Sequence, residues 1–408
     1  MCTVWTTNND DILDRMKTER FDVAVVDGLF LHKCIYLIPH RLQIPWITYC
    51  DWVDPLTARS PWLPSFVPST VLPYSETMSF FQRLTNAAVL FGFSLVSRLA
   101  GLDPPPEIIN KYQQYGSFSS VDDLMSRSLL WLYTKDIVMN YPLPLMPNMI
   151  EIGGLTVKRA AGKLPPDIEN FIDGAENGTV LITFGTMVAS YSVTVAEKFL
   201  SAFRRLDGYR VVWRMRNTDR LNIPDNVMIA EWLPQNDILA HPSVKLFITH
   251  CGNNGMHEAV YHGVPMIGFP VGGDQIYNAK LLVRKGYGLS MDLYRFTADE
   301  LLDGIHGILA EASYKERVVK ASQIFRSQAQ TPVERATFWI EHVCRFGGEH
   351  LRSAGNDLPV YSYFMLDVLA FLLIILHVVV YLLYKLLAVI ANKCRRRTDA
   401  NCTKKKNN

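Results

Sequence analysis

The sequence predicts an α/β protein of two domains built on parallel sheets, followed by one membrane-spanning helix and a short basic tail. Strand-length apolar runs alternate with amphipathic helical stretches, a proline-rich break separates two such blocks, and an uncharged stretch near the C-terminus is long enough to cross a bilayer. The 408 residues suffice for two ordinary domains. Apolar residues at 49% and aromatics at 11% supply ample core and exclude a disordered chain. Lysine plus arginine is 41 against 39 for aspartate plus glutamate, a formal net charge of +2, so no global field selects nucleic acid. Seven cysteines without a C-x-x-C pair indicate neither a zinc site nor a disulfide scaffold, and leave the redox compartment open.

In the first block, FDVAVVD (residues 21–27) is an apolar run bounded by acids. Gly28 and a helical stretch follow, then IPWITY as a second strand, which is β-α-β punctuation. Residues 50 to 75 are dense in proline and aromatics and read as a long irregular loop, the kind that shapes substrate pockets. SETMSFFQRLTNAAVLFGF reads as an amphipathic helix with Ser75 as its N-cap. Proline breaks the periodicity between Tyr141 and Phe171, which places the domain boundary near residue 155.

The second block alternates again: TVLITFG, the helix SVTVAEKFLSAFRRL, strands YRVVWRM, VMIAEWL and VKLFITH, the helix NGMHEAVYHG, strand PMIGFP and the helix DQIYNAKLLVRKG. Repetition at this spacing predicts a doubly wound sheet over residues 156–345. Helices after Thr297 have no strand partners and are expected to wrap back over both domains. Residues 346–366 read as a juxtamembrane segment, 367–391 as the span and 392–408 as the tail.

From Val368 to Tyr384 no formal charge appears, and after Lys385 the apolar run resumes to Ala391. A buried core helix is seldom apolar on every face, so this segment reads as a transmembrane helix. Lys393, Arg395, Arg396 and Arg397 follow directly, then Lys404, Lys405 and Lys406. The positive-inside rule puts that tail in the cytosol and the large N-terminal region across the membrane, a single-pass type I arrangement. The terminal Lys405-Lys406-Asn407-Asn408 has the spacing of a dilysine signal, which predicts residence in the endoplasmic reticulum membrane. The N-terminal residues offer no apolar core after a basic start, so the signal peptide such a topology needs is not found and the chain reads as N-terminally truncated. Asn177-Gly178-Thr179 is a glycosylation sequon compatible with a lumenal location.

In doubly wound folds ligands bind beyond the carboxyl ends of the strands, so the strand-to-helix junctions are the first candidates. Phe184-Gly185-Thr186 ends one strand; His250-Cys251-Gly252-Asn253-Asn254-Gly255 ends another and opens a helix. Glycines there let a phosphate approach backbone amides, the helix N-terminus favours its charge, and His250 can donate a hydrogen bond. Taken singly each residue has an ordinary reading: Trp232 as core, Glu258 on a solvated face, Asp274 as an N-cap. The ordered set is more specific: Trp232-Leu233-Pro234-Gln235, His250 through Gly255, Glu258, Pro265, Pro270, then Asp274-Gln275. This gapped pattern resembles the signature of the UDP-glycosyltransferases, in particular the membrane-anchored animal UDP-glucuronosyltransferase branch. FDVAVVD, FWIEHV, HLRS and the anchor with its lysine tail fall in that branch's order, so the resemblance covers essentially the whole chain.

The resemblance implies a GT-B type fold, two Rossmann-like domains facing a cleft. It implies that Trp232 stacks on uracil, that Gln235 touches the nucleoside and that Glu258 accepts from the ribose hydroxyls. His250, Thr186, Gly252 and the amides around Asn254 and Gly255 would hold the diphosphate, with Asp274 and Gln275 on the sugar hydroxyls. Cys251 stands where the animal branch usually has glycine, and Gly272-Gly273 before Asp274 is expected to loosen the sugar contacts. The implied reaction is inverting transfer of glucuronate or another hexose to the hydroxyl of a small lipophilic acceptor, a chemistry of detoxification. A histidine base deprotonates that hydroxyl and an aspartate orients the histidine. Asp27 matches that aspartate, whereas no histidine matches the base; His32 and His40 follow Asp27 and do not fit its position. No cofactor or metal is implied, the UDP-sugar being a co-substrate. The implied partners are UDP-glucuronate or another UDP-hexose, the small lipophilic acceptor, the membrane and other transferases in homo- or hetero-oligomers, with no nucleic acid. Two alternatives stand beside the enzyme: a catalytically incompetent form that binds UDP-sugar and modulates full-length transferases, and a fragment that does not fold alone because its sheet has lost strands.

Overall fold

The computed structural model describes residues 10–406 apart from 29, 100–103, 160–161, 186–191, 217 and 219. The chain forms two compact units, Met1–Arg352 and Ser353–Asn408. The first unit holds two sheets. One has four strands, β1 (Ala24–Asp27), β2 (Trp46–Cys50), β3 (Trp131–Tyr133) and β4 (Met149–Glu151), in the order β1-β2-β3-β4. Every pair is parallel, with Ala24 opposite Trp46, Thr48 opposite Trp131 and Trp131 opposite Met149.

The other sheet has six parallel strands: β5 (Gly178–Thr183), β6 (Tyr209–Arg214), β7 (Val227–Ala230), β8 (Val244–Thr249), β9 (Met266–Gly268) and β10 (Gly288–Ser290). Their order is β10-β9-β8-β5-β6-β7, so the winding reverses between β5 and β8. A crevice forms at such a reversal, beyond the carboxyl ends of the two strands. β5 is buried along its whole length, and its side chains alternate between two cores. Val180 and Ile182 pack with Phe199, Phe203, Trp213 and Ile305, while Leu181 packs on the opposite face with Ile172, Phe247, Met256 and Leu282. Burial on both faces is why the strand reads as a continuous apolar run rather than an alternating one.

Helix α1 (Asn253–Tyr261) follows β8 and α2 (Gln275–Lys285) follows β9, so both begin at the carboxyl edge of the sheet. After them come α3 (Ala298–Ala310), α4 (Ala312–Arg326) and α5 (Pro332–Phe346). Thr297 with Glu300, and Thr331 with Glu334, form capping boxes that start α3 and α5. α5 returns across the first sheet, where Ala336 and Val343 pack with Ile47, Leu130, Leu132 and Ile150. Cross-domain bonds fasten the halves of this unit. Asn253 Nδ2 donates to the Thr134 carbonyl at 2.9 Å, Tyr287 OH to the Val138 carbonyl at 3.0 Å and Tyr277 OH to Asn140 Oδ1 at 2.5 Å.

The second unit is dominated by one helix, Leu366–Lys406, of which Leu366–Lys393 is long and apolar enough to cross a membrane. At 1.5 Å per residue those 28 residues extend about 42 Å, against a hydrocarbon core of about 30 Å.

Three local readings need correction. The helix expected from Ser75 begins at Phe80, because Ser79 and Gln82 cap it reciprocally, while the Ser75 hydroxyl bonds to Thr77. The loop of residues 50–75 contains a short helix, Pro55–Ala58, whose first turn Asp54 caps at the Leu56 amide. β3, β4 and β10, of three residues each, were not read from the sequence, and β4 lies inside the proline-rich break.

Candidate functional site

The crevice at the β5/β8 reversal is a cleft of about 570 Å³. Its walls are the carboxyl ends of β5, β6 and β8, the Trp232–Asp237 turn, the first turn of α1 and the loop before α2. Trp232, Gln235, His250, Gly252, Asn254, Gly255, Glu258, Asp274 and Gln275, picked from the sequence, all line it. Thr186 lies outside the described residues. Asp27 does not line the cleft; it stands at the carboxyl end of β1, opposite Tyr49.

The ordinary readings of three residues fail here. Trp232 is 70% exposed, so it is no core residue but a bare aromatic plate at the mouth. Glu258 is not on a solvated face: it is 8% exposed, and burial pushes its carboxyl above the usual range. Asp274 precedes α2, yet its side chain makes no capping bond; its Oδ2 accepts from Asn278 Nδ2 at 2.6 Å instead.

A hydrogen-bonded chain fixes the Glu258 carboxylate. Thr183 Oγ1 donates to Gln235 Oε1 at 2.5 Å, Gln235 Nε2 donates to Glu258 Oε2 at 2.7 Å, and Thr156 Oγ1 donates to Oε1 at 3.3 Å. A Cβ on Gly255 would lie 3.1 Å from Gln235 Nε2, so the missing side chain lets α1 approach the amide. The arrangement presents an acceptor carboxylate beside an aromatic face, as vicinal hydroxyls next to a flat ring require.

Beyond the carboxylate, the first turn of α1 lines the cleft from Gly252 to Gly255, and among the described residues no side chain caps its amides. His250 packs over Gly185, whose φ is +69° and whose absent Cβ would come within 2.8 Å of the ring. Burial lowers the His250 pKa to about 4, so the ring is neutral at pH 7. Among the described residues its Nδ1 is buried without a partner, an arrangement that favours the tautomer with the proton on Nε2, since an orphaned lone pair costs less than an orphaned N–H. Free amides, a neutral N–H donor and Arg214, which bonds the Gly185 carbonyl, suit a dianion. At the α2 end Gln275 Oε1 accepts from the Val271 and Gly272 amides at 2.9 and 3.2 Å, which ties the entry of the Gly272-Gly273 turn to α2.

Six residues here were not read from the sequence, Arg214 at the end of β6 among them. Thr183 precedes a strand-end glycine and could have been found by that position. Thr156 and Lys158 come from the linker after β4, where no local signal marks them. Asp51 and Lys135 follow β2 and β3, and the tertiary fold alone brings them to Asp274. The Asp51 carboxylate pairs with Lys135 Nζ at 3.2 Å, accepts from Thr134 Oγ1 at 2.5 Å and lies in hydrogen-bonding reach of Asp274. Burial and the Asp51 charge raise the Asp274 pKa to about 6. Burial works the same way on Asp51, but Lys135 and the hydrogen bonds outweigh it and hold that carboxyl below its usual value.

Cys251 adopts φ +64°, in the left-handed region where glycine is unstrained, which explains why glycine is usual there. Its thiol is buried and burial pushes its pKa up, so it is packing, not a nucleophile. His40 Nε2 donates to the Gly116 carbonyl at 3.2 Å and the ring lies edge-on to Phe118, so it is engaged in packing; the His32 side chain is outside the described residues.

A family model described as UDP-glucoronosyl and UDP-glucosyl transferase matches residues 1–401. UDP-glucuronosyltransferase 1-2 of Rattus norvegicus is 32% identical over 395 residues, covering 95% of this chain and 72% of the relative. A UDP-glucuronosyltransferase of Pleuronectes platessa is 34% identical over 403 residues, covering 96% and 84%. Among solved structures, the glycotransferase of kitacinnamycin superposes with a TM-score of 0.59 at 21% identity, covering 84% of this chain and 81% of that one. Spinosyn forosaminyltransferase gives 0.59 at 18% identity, covering 82% and 79%, so the fold is that of GT-B glycosyltransferases.

Proposed function

The chain belongs to the UDP-glucuronosyl and UDP-glucosyl transferase family, and from that premise we propose that it moves a hexose from a UDP-sugar to a hydroxyl of a small lipophilic acceptor, with inversion. The observation that carries the proposal is the pairing of the exposed Trp232 plate with the Thr183-Gln235-Glu258 chain in one cleft. Uracil stacks on Trp232, the ribose hydroxyls donate to Glu258, and the α1 amides with His250 Nε2–H receive the diphosphate. A dianion leaving toward fixed donors is stabilised without reorganisation of the site. Asp274 and Gln275 receive the sugar hydroxyls. Asp27, the last residue of β1, would orient a histidine base, a role that no histidine of this sequence matches.

A second reading, in which the chain binds the UDP-sugar and modulates full-length transferases, is supported by the engagement of His40 with Gly116 and Phe118, away from the base's role. For either reading the setting is the lumenal face of the endoplasmic reticulum membrane, with a cytosolic basic tail. The apolar helix, the exposed Asn177 of the sequon and the disulfide at Cys34 are compatible with it. Calorimetry with UDP tests the donor site: Trp232→Ala and Glu258→Ala each weaken binding about tenfold or more, and unchanged affinity in both overturns the assignment. Release of UDP from a UDP-sugar in the presence of an acceptor separates the enzyme from the modulator.

A further inference from the structure

The sugar end of the cleft carries a charge arrangement that spans both sheets. Lys135 Nζ is nearly sealed from solvent, its side chain 1% exposed, and is held by the Asp51 carboxylate at 3.2 Å and by Asn278 Oδ1 at 3.2 Å. Asn278 in turn donates from Nδ2 to Asp274 Oδ2 at 2.6 Å, and Asp274 and Asp51 face each other in hydrogen-bonding reach. Two carboxylates therefore share one buried cation, and the charged groups acting on Asp274 are Asp51 and Lys135. The other cations lining the cleft are engaged elsewhere: the Lys158 charge falls on Glu258, and Arg214 bonds the Gly185 carbonyl.

We propose that Asp51 and Lys135 are specificity-determining residues for the donor sugar: with Asp274 they leave this end of the cleft net negative among the described residues, so it admits an uncharged hexose and disfavours a uronate. The inference rests on the reading of Asp274 and Gln275 as the sugar contacts. Hydroxyls of a neutral hexose can donate to the carboxylates, whereas a uronate carboxylate meets like charge there at low dielectric, which the single amide donor of Gln275 does not neutralise. Discrimination comes from that repulsion, not from shape.

The test is calorimetry on the full chain in detergent micelles with UDP, UDP-glucose and UDP-glucuronate. With Asp51 and Asp274 ionised, the trio carries −1 in the wild type, 0 in Asp51→Asn, −2 in Lys135→Met and −1 in the double variant. The wild type is expected to bind UDP-glucose about tenfold tighter than UDP-glucuronate, equivalent to about 1.4 kcal/mol. That preference falls at least threefold in Asp51→Asn, rises in Lys135→Met and returns toward wild type in the double variant, with UDP affinity unchanged throughout. A wild-type preference for UDP-glucuronate, or a double variant that follows Asp51→Asn, overturns the inference. Absence of UDP binding by the wild type instead overturns the donor-site reading beneath it. Should the variants fail to fold, the wild type alone decides: the preference shrinks between pH 7.5 and 5 as Asp274 takes up a proton, and a constant ratio overturns the proposal.

Discussion

Gln235 joins Glu258 through a 2.7 Å hydrogen bond from its Nε2, and its other end is held by Thr183, so the carboxylate is aimed before any ligand arrives. A hydrogen bond to a charged group is worth about 1.5–3 kcal/mol. Gln235→Ala is therefore expected to lower UDP affinity about tenfold or more by calorimetry. A Gln235→Ala variant that binds UDP like the wild type removes this relay from the site.

Trp232 separates ligand binding from stability. A side chain 70% exposed contributes little to the core, so Trp232→Ala is expected to leave unfolding within about 0.5 kcal/mol of wild type. Loss of stacking on a base costs about 1–3 kcal/mol of binding, and Trp232→Phe should recover part of it. A large drop in thermal midpoint with unchanged UDP binding would show that the ring is structural.

Cys251 should invert an ordinary ranking. Replacing cysteine by alanine keeps the φ of +64° and loses the buried sulfur, whereas glycine loses the sulfur and relieves the backbone, a relief of about 1 kcal/mol or more. Cys251→Gly is thus expected to have a higher thermal midpoint than Cys251→Ala, opposite to the usual preference. The reverse order would mean the left-handed conformation is not retained.

His250 predicts a pH window for stability. Its pKa is lowered from 6.5 to about 4 on folding, by burial, so the unfolded chain takes up the proton first as pH falls. The contribution is fully present above about pH 6.5 and is lost as pH falls toward 4, on the order of 2–3 kcal/mol. His262, also lowered to about 4 by burial, acts in the same direction, so the comparison must be with His250→Gln, in which that part of the slope disappears. An identical pH profile for wild type and His250→Gln removes His250 as its source.

Legibility followed chain locality. β5, β8 and the helices after them carry their signal within a few residues, and Trp232, Glu258 and Asp274 belong to one ordered pattern that reads as a unit. β3 and β4 were hidden because three-residue strands hold no periodicity and prolines flank β4. Ser79 displaced Ser75 as the helix start because both begin plausible caps, and only the paired bond with Gln82 distinguishes them.

By itself the sequence determined the α/β class, the apolar C-terminal segment, the family and nine residues that line the cleft, since local pattern and spacing are written along the chain. The tertiary structure alone decided that Trp232 is bare, that Glu258 is buried and held, and that Asp51, Lys135 and Asp274 meet across two sheets. Lys135 and Asn278 are separated by 143 residues, and a contact of that range has no local signature: burial and pairing depend on which surfaces the fold brings together, not on neighbours in the chain.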